Sequence, residues 1–273
     1  MRTTLTEHYD PAFDSLAAEY DNSFTRSWIG RRQRDAVWKF LENNIHVSRE
    51  KTILELNCGT GEDACMLAEK GHSVLATDVS ERMLEQTRLK QRERSIENLE
   101  LKLLDINSPS PIPEGRRFDM VFSNFGGLNC SSPDDIKLLS ASLSDCLNKD
   151  GKLILVVMGR KCIWEKIYFL FKGMRTQAGR RSGPGPVEVN LGDSVQKTWY
   201  YSPEEMTELL KDRFTKIQLR PIGLFIPPSY LESGLKRINF LKSSLLTLDR
   251  MFSRFSLFAN YADHFLIEFR KKE

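Results

Sequence analysis

The sequence predicts an α/β fold with a doubly wound sheet of about seven strands, mostly parallel with an antiparallel last strand, plus helical cap insertions. Short apolar runs alternate with helix-like segments between residues 52 and 157, a pattern typical of strand–helix–strand units in a parallel sheet. Glycines follow the first run, and acidic residues follow the second and third. The 273 residues, 40% of them apolar, suffice for one large core, so we predict a single domain over residues 1–273.

The first elements are helical. Residues 11–45 contain FDSLAAEYD and RRQRDAVWKFLENN, two segments of helical character with a break near Ser27–Gly30. A strand over Ile53–Leu56 then leads through Asn57–Gly61 into a helix over 62–70, which ends at Gly71. A second strand over 73–76 precedes Asp78.

This strand–turn–helix–strand unit indicates a nucleotide-type pocket. Gly59 and Gly61 allow a ligand to lie against the backbone, because neither residue has a Cβ. The free N–H groups of the next helix face that ligand, and Asp78 can accept hydrogen bonds from two ribose hydroxyls. The spacing is not the G-x-G-x-x-G of dinucleotide sites. Glu62 and Asp63 in the first helical turn would repel a pyrophosphate there, so a cationic ligand without phosphate fits better.

The later elements continue the alternation. A helix capped by Ser80 is predicted over 80–93, and a second helix over 133–147. Three further strands follow the patterns LELKLLDI, which contains Asp105, FDMVFSNFG, and LNKDGKLILVV, in which the first residues are expected to form a helix end and a turn. The last two strands are expected at 217–219 and 264–269.

Together these residues resemble the class I S-adenosylmethionine-dependent methyltransferases, whose motif I is written (D/E)-x-G-x-G-x-G. The resemblance covers about residues 16–157 and implies a Rossmann-like sheet whose last two strands form an antiparallel pair. It also implies S-adenosyl-L-methionine as cofactor, with S-adenosyl-L-homocysteine as product. One departure is Asn57 in place of the first glycine, although Asn tolerates a left-handed backbone. The cofactor-binding residues implied are Tyr20, Glu55, Asn57, Cys58, Gly59, Gly61, Asp78, Val79, Met83, Asp105, Ile106, Asn124 and Phe125.

The N-terminal segment is similar to that of quinone-biosynthesis-type small-molecule methyltransferases. In those proteins an F-x-x-[IL]-A-x-x-YD segment covers the cofactor, and Tyr20 and Asp21 match its YD pair. The resemblance implies a helical lid over residues 1–45. The alternative is that Tyr20 only packs the first helix.

Two insertions, 159–200 and 228–262, are predicted to form cap or substrate segments. Residues 160–181 have a net charge of +6, against +3 for the whole chain. Such a segment suits an anionic substrate or an anionic membrane surface, and it also suits a capping helix with a solvated basic face. The second insertion has apolar residues at helical spacing. The candidate acceptor-binding residues are Asn129, Trp164, Tyr168, Tyr200 and Tyr201.

Composition excludes several other classes. The five cysteines lack metal-ligand spacing, so no metal site is predicted and a reduced, cytoplasmic protein is expected. No basic field or recognised module predicts nucleic-acid binding. Ser123–Gly126 also differs from the (D/N)-P-P-(F/Y) signature of amino-methylating DNA enzymes.

The function implied by the resemblance is methyl transfer to a small, apolar or aromatic acceptor, on oxygen, nitrogen or carbon, by in-line displacement. Two alternatives are a methyltransferase of a lipid or protein at a membrane surface, and a non-methylating S-adenosylmethionine-binding protein. The sequence identifies no catalytic residue, because no His/acid pair stands out. It also leaves the oligomeric state open.

Overall fold

The computed structural model describes residues 11–45, 50–108, 112, 115–191, 194–235 and 240–272. The first ten residues of the predicted lid and residues 236–239 of the second insertion lie outside this description. The strands are β1 (Thr52–Leu56), β2 (Ser73–Asp78), β3 (Leu99–Leu103), β4 (Phe118–Ser123), β5 (Leu147–Met158), β6 (Val187–Leu191), β7 (Ser194–Thr198), β8 (Phe214–Ile222) and β9 (His264–Lys271).

The helices alternate with these strands and fill both insertions. The α-helices are α1 (Pro11–Tyr20), α2 (Trp28–Asn44), α3 (Glu62–Glu69), α4 (Glu81–Glu93), α5 (Pro133–Cys146), α6 (Ile163–Phe171), α7 (Arg175–Ala178), α8 (Pro203–Leu210), α9 (Glu232–Leu235) and α10 (Leu241–Phe252). A π-helix covers Asp21–Thr25, and 3-10 turns cover Gly127–Cys130, Arg180–Ser182, Ser229–Leu231 and Ser256–Tyr261.

Seven strands form one sheet in the order β3-β2-β1-β4-β5-β9-β8. Strands β1 to β5 pair in parallel, whereas β9 is antiparallel to both of its neighbours, β5 and β8. This confirms the predicted fold class, including the antiparallel last strand. The chain order reverses between β1 and β4, and ligands of open α/β sheets bind at the carboxyl ends of strands beside such a reversal.

Helices cover both faces of the sheet. Successive residues of a strand point to opposite faces, and here both faces carry apolar side chains that the helices bury. Leu54 belongs to the core under α5 and α8, while its neighbour Ile53 belongs to the core under α2, α3 and α4. Ser80 caps α4 by accepting from Met83 N–H, as predicted. Ser132 caps α5 in a capping box with Asp135.

Three local features differ from the sequence prediction. Residues 147–150 belong to β5 rather than to a helix end, and the pairing with β4 jumps from Phe118–Leu147 to Met120–Lys152. The intervening residues form a bulge in which Asp150 has a left-handed backbone, φ 64°. Strands β6 and β7 form a hairpin inside the first insertion, and α8 follows it; neither was predicted.

Along the part of the chain that the structure describes, no helix has the length and apolar character needed to cross a bilayer.

Candidate functional site

A cavity opens at the carboxyl ends of β1, β2 and β4, at the reversal of strand order. Most of the predicted cofactor residues line it, namely Tyr20, Glu55, Asn57, Cys58, Gly59, Asp78, Val79, Met83, Asp105, Ile106, Asn124 and Phe125. Gly61 does not line the cavity and lies behind the turn against α4. The predicted residues come from five separate segments of the sequence, and the fold places them around this one cavity.

The turn after β1 depends on left-handed backbone. Asn57, Gly59 and Gly61 have φ values of 53°, 56° and 74°. A Cβ on Gly61 would lie only 2.2 Å from Thr87 Cγ2 of α4. A Cβ on Gly59 would have no heavy atom within 4 Å. Position 61 therefore requires glycine for two reasons, its left-handed backbone and its close packing on α4. Position 59 favours glycine only because of its left-handed backbone.

Asp78 fixes this turn to the end of β2. Its carboxylate accepts hydrogen bonds from the N–H of Gly59 at 2.8 Å and from the N–H of Ser80 at 3.0 Å. Burial raises the pKa of Asp78, and the hydrogen bonds from backbone N–H groups act against that rise. The remaining lone pairs of a carboxylate held in this way can accept two further donors, which is what a ribose offers.

Glu55 is the most enclosed acid of the cavity, with 1% of its surface exposed. Its Oε2 atom has no hydrogen-bond partner among the described residues. Burial, together with the charges of Asp63 and Asp78, raises the pKa of Glu55 well above its usual range. A ligand with a positive charge would relieve that cost, because an opposite charge favours the ionised carboxylate.

A second group of side chains closes the cavity beneath α2. Arg34 forms a buried ion pair with Asp63 at 3.3 Å. Asp63 also accepts from Trp38 Nε1 at 2.6 Å and from Asn124 Nδ2 at 2.9 Å. The Arg34 guanidinium lies 5.1 Å from the centre of the Phe125 ring. Asn124 and Phe125 therefore meet the cavity as parts of a fixed network that orients them.

The two acids of the first turn of α3 are not free charges. Glu62 contacts Lys90 at 3.2 Å and Arg94 at 3.0 Å, and Asp63 is paired with Arg34. Burial opposes the ionisation of Glu62, but Lys90 and Arg94 outweigh it and lower the pKa. Repulsion of a pyrophosphate by these acids is thus weaker than the sequence indicated. Of the acids that line the cavity, Glu55, Asp78 and Asp105 form no ion pair with a described residue.

The comparisons with known proteins agree with this geometry. Residues 53–151 match the family model of a methyltransferase domain. A protein of Staphylococcus carnosus (strain TM300), called an uncharacterized methyltransferase, is 31% identical over 151 residues. The match covers 53% of this chain and 65% of that relative, so the chain spans somewhat less than two thirds of its length. Residues 53–151 of this chain therefore form a methyltransferase domain of that family.

Solved structures of methyltransferases are similar in fold to nearly the whole chain. The CcbJ methyltransferase from Streptomyces caelestis superposes with a TM-score of 0.63 at 15% identity, over 97% of this chain and 99% of that one. Magnesium protoporphyrin IX methyltransferase from Synechocystis PCC 6803, with bound SAH, gives 0.60 at 14% identity, over 97% and 96%. At these identities the likeness concerns the fold. S-adenosylmethionine is the cofactor of the family.

The N-terminal helices are hydrogen-bonded to the turn after β1 and to the start of α4. Asp14 of α1 accepts from Ser80 Oγ at 2.5 Å. Asp21 accepts from Thr60 Oγ1 at 2.6 Å and pairs with Lys90 at 2.7 Å. Burial would raise the pKa of Asp21, but the hydrogen bonds from Lys90 and Thr60 outweigh it and lower the pKa. Tyr20, next to Asp21, lines the cavity, and burial raises its pKa to about 12.

The asparagine that replaces the first motif glycine has a specific neighbour. A Cβ on Gly127 would lie 2.4 Å from Asn57 Cβ and 2.9 Å from Asn57 Oδ1. The Asn57 side chain therefore occupies space that is free only because residue 127, in the loop after β4, is a glycine.

We expect Gly127→Ala to lower the free energy of unfolding by about 1–3 kcal/mol, the usual range for overpacking. The double variant Asn57→Gly/Gly127→Ala should recover most of that loss, because the clashing side chain is gone. Urea unfolding of the two single variants and the double variant measures the coupling. Purely additive effects would show that the two residues do not compete for one space.

The predicted acceptor residues lie outside this cavity. Asn129 binds backbone, donating to Trp199 O at 2.5 Å and accepting from Met158 N–H at 2.9 Å. Tyr201 donates to Ser131 O at 2.5 Å, and Trp164 donates to Leu224 O at 3.0 Å. Tyr168 contacts Tyr230, and Tyr200 lies under Arg181. These five side chains contact other parts of the protein and do not line this cavity, so the structure gives no support to contact between them and an acceptor there.

The cavity is also lined by residues that were not among the predicted cofactor-binding residues: Phe13, Arg34, Thr60, Glu62, Asp63, Asn107, Gly126, Gly127, Cys130 and Gln196. Gln196 comes from the unpredicted hairpin. Its signal in the sequence is the alternation of V-E-V-N-L and S-V-Q-K-T around Gly-Asp, which is typical of a two-residue turn.

Proposed function

We propose that this chain transfers the methyl group of S-adenosylmethionine to a small, apolar or aromatic acceptor. The observation that carries the proposal is the continuity of the cavity. It runs from the ribose-type acid Asp78 past Asn124 and Phe125 to Cys130 and Gln196, beyond the residues that the cofactor requires. We assign the part of the cavity near Cys130 and Gln196 to a second molecule, the acceptor.

The cofactor end is assigned to residues by their chemistry. Asp78 would hold the ribose hydroxyls, and Val79, Met83 and Ile106 offer apolar surface for the adenine, with Asp105 at its edge. Glu55 and Asn57, each with a buried oxygen that lacks a partner among the described residues, suit the amino acid end. S-adenosylmethionine supplies a methyl group on a sulfonium, from which a neutral thioether leaves.

The acceptor end combines apolar rings with the polar side chain of Gln196. Phe13 and Phe125 contribute aromatic surface, and Gln196 is 8% exposed. Gln196 Nε2 donates to Lys197 O at 2.8 Å, but its Oε1 is buried and has no partner among the described residues. A buried carbonyl oxygen without a donor is unfavourable. We therefore assign it to an N–H or O–H group of the acceptor.

The chain's contribution to the reaction is alignment and exclusion of water. The Asp63–Asn124 bond and the Arg34–Phe125 contact fix the wall between the two ends, so the acceptor is held in one orientation. Tyr20 is protonated at neutral pH, as tyrosine ordinarily is, and burial raises its pKa further, so it serves as a donor rather than as a base.

The test is production of S-adenosylhomocysteine by the purified chain from S-adenosylmethionine and a pool of small apolar and aromatic metabolites. We expect production above the level without acceptor, and Gln196→Leu should lower kcat/KM for the acceptor about 10-fold, since one hydrogen bond is worth about 1 kcal/mol or somewhat more. The affinity for the cofactor should not change.

Gln218→Leu is the matched control, since Gln218 of β8 also has a buried, unpartnered Oε1 among the described residues but lies outside the cavity. Persistent absence of S-adenosylhomocysteine with every acceptor, despite cofactor binding, would contradict the proposal and favour a non-methylating cofactor-binding protein.

A further inference from the structure

Helix α6 of the first insertion is apolar on two different sides. Trp164 and Tyr168 face the protein, where they bind Leu224 O and pack on Tyr230. The other side presents exposed apolar residues at a spacing of three or four, which places them along one line of the helix. We call this line the α6 stripe; it consists of Ile163, Ile167, Leu170 and Phe171, followed by Met174.

The α6 stripe is fixed rather than loosely attached. Gly173 has a left-handed backbone, φ 71°, and its N–H donates to Leu170 O at 3.0 Å. The next N–H, of Met174, donates to Phe169 O at 2.8 Å, which completes a Schellman cap. Phe171 nevertheless has 89% of its surface exposed. The five exposed apolar residues of the stripe lie within the twelve residues from 163 to 174, and they form an apolar patch of the kind that marks an interaction site.

The cations of the segment divide into two groups. Arg180 and Arg181 are bound to Glu165, Arg181 also to Asp263, and Arg160 to Glu205. The other four, Lys161, Lys166, Lys172 and Arg175, are exposed around the α6 stripe, and none forms an ion pair with a described residue. The Nζ atom of Lys172 lies 4.7 Å from the centre of the Tyr168 ring. The only acid from residue 160 to residue 186 is Glu165, which is buried.

We propose that the α6 stripe and these four cations dock the protein on an anionic phospholipid surface. Exposed apolar side chains between cations match the boundary between acyl chains and negatively charged headgroups. A second copy of the chain is a poor occupant, because two identical stripes would bring eight cations together. A nucleic acid would satisfy the cations and leave the apolar residues in water.

The experiment uses the full chain and vesicles of phosphatidylcholine, with or without 30% phosphatidylserine. In a flotation assay at low ionic strength we expect binding to the anionic vesicles and at least 10-fold weaker binding to the neutral ones. Raising the salt should release the protein. The variants Ile167→Ser/Phe171→Ser and Lys166→Glu/Lys172→Glu should each lower the bound fraction about 10-fold or more.

Leu138→Ser is the control for the apolar change, because Leu138 of α5 is also exposed, at 72%, but lies outside the stripe. Circular dichroism checks that the stripe variants remain folded. Equal binding to both kinds of vesicle, or no binding to either, overturns the proposal. So does dimerisation in size-exclusion chromatography that the stripe variants abolish, since the stripe would then be covered by a second copy. None of these outcomes depends on methyl transfer.

Discussion

Asp78→Asn is expected to weaken the binding of S-adenosylmethionine by about 10- to 100-fold. The variant keeps the shape of the side chain but replaces one accepting oxygen with a donating NH2 group. A hydrogen bond to a charged group contributes about 1.5–3 kcal/mol, and about 1.4 kcal/mol corresponds to a tenfold change in affinity. Isothermal titration calorimetry of both proteins with the cofactor measures the difference.

The same variant also loosens the turn, because Asp78 accepts from the N–H groups of Gly59 and Ser80. Asp119→Asn is the control for a loss of stability away from the cavity. Asp119 accepts from the N–H of Thr52 at 3.0 Å, at the opposite end of β1, and it does not line the cavity. We expect Asp119→Asn to lower stability while leaving the cofactor affinity unchanged. An unchanged affinity for Asp78→Asn would remove the ribose assignment.

The cofactor end of the cavity could be predicted from sequence because its signals are local. Asn57, Gly59 and Gly61 lie within five residues, and all three have a left-handed backbone, which Gly and Asn adopt more readily than other residues. Asp78 and Asp105 each follow a short apolar run, and the carboxyl ends of parallel strands meet at one edge of the sheet. Local pattern and sheet topology together placed these side chains around one cavity.

The acceptor end could not be predicted in the same way, because it depends on distant partners. Gln196 reaches the cavity only because the hairpin of β6 and β7 packs near α1. Tyr200 and Tyr201 are aromatic residues in an insertion, a composition that suits a substrate pocket equally well. Their partners are Arg181 and Ser131, and nothing in the local sequence around the tyrosines indicates those contacts.

The net charge of the first insertion also could not be interpreted from sequence alone, because the ion pairs involve distant residues. The sequence counts seven basic residues and one acidic residue between 160 and 181. It does not show that Asp263, more than eighty residues later, pairs with Arg181. Burial opposes ionisation of Asp263, but His264 and Arg181 outweigh it and hold the pKa of this carboxyl well below its usual range. The structure therefore separates the basic residues that stabilise the insertion from those that remain available to a partner.

Gly61→Ala is expected to lower the free energy of unfolding by about 2–5 kcal/mol. Left-handed backbone costs a residue with a Cβ about 1–2 kcal/mol, and overpacking adds about 1–3 kcal/mol. The overpacking arises because the new Cβ would lie 2.2 Å from Thr87 Cγ2 and 2.6 Å from Thr87 Oγ1. Thr87 is fully buried and donates to Gly59 O at 3.1 Å, so it cannot simply turn away.

Gly59→Ala is the matched control, since its φ is also left-handed but its Cβ would meet nothing within 4 Å. We expect it to cost only the conformational part, about 1–2 kcal/mol. Urea unfolding without cofactor measures both variants. A Cβ at position 61 would also lie 2.7 Å from Thr87 Cβ, so Gly61→Ala/Thr87→Gly should be less unstable than the sum of its single variants. Equal costs at the two glycines would mean that close packing on α4 does not constrain position 61. Left-handed backbone alone would then account for both glycines of the motif.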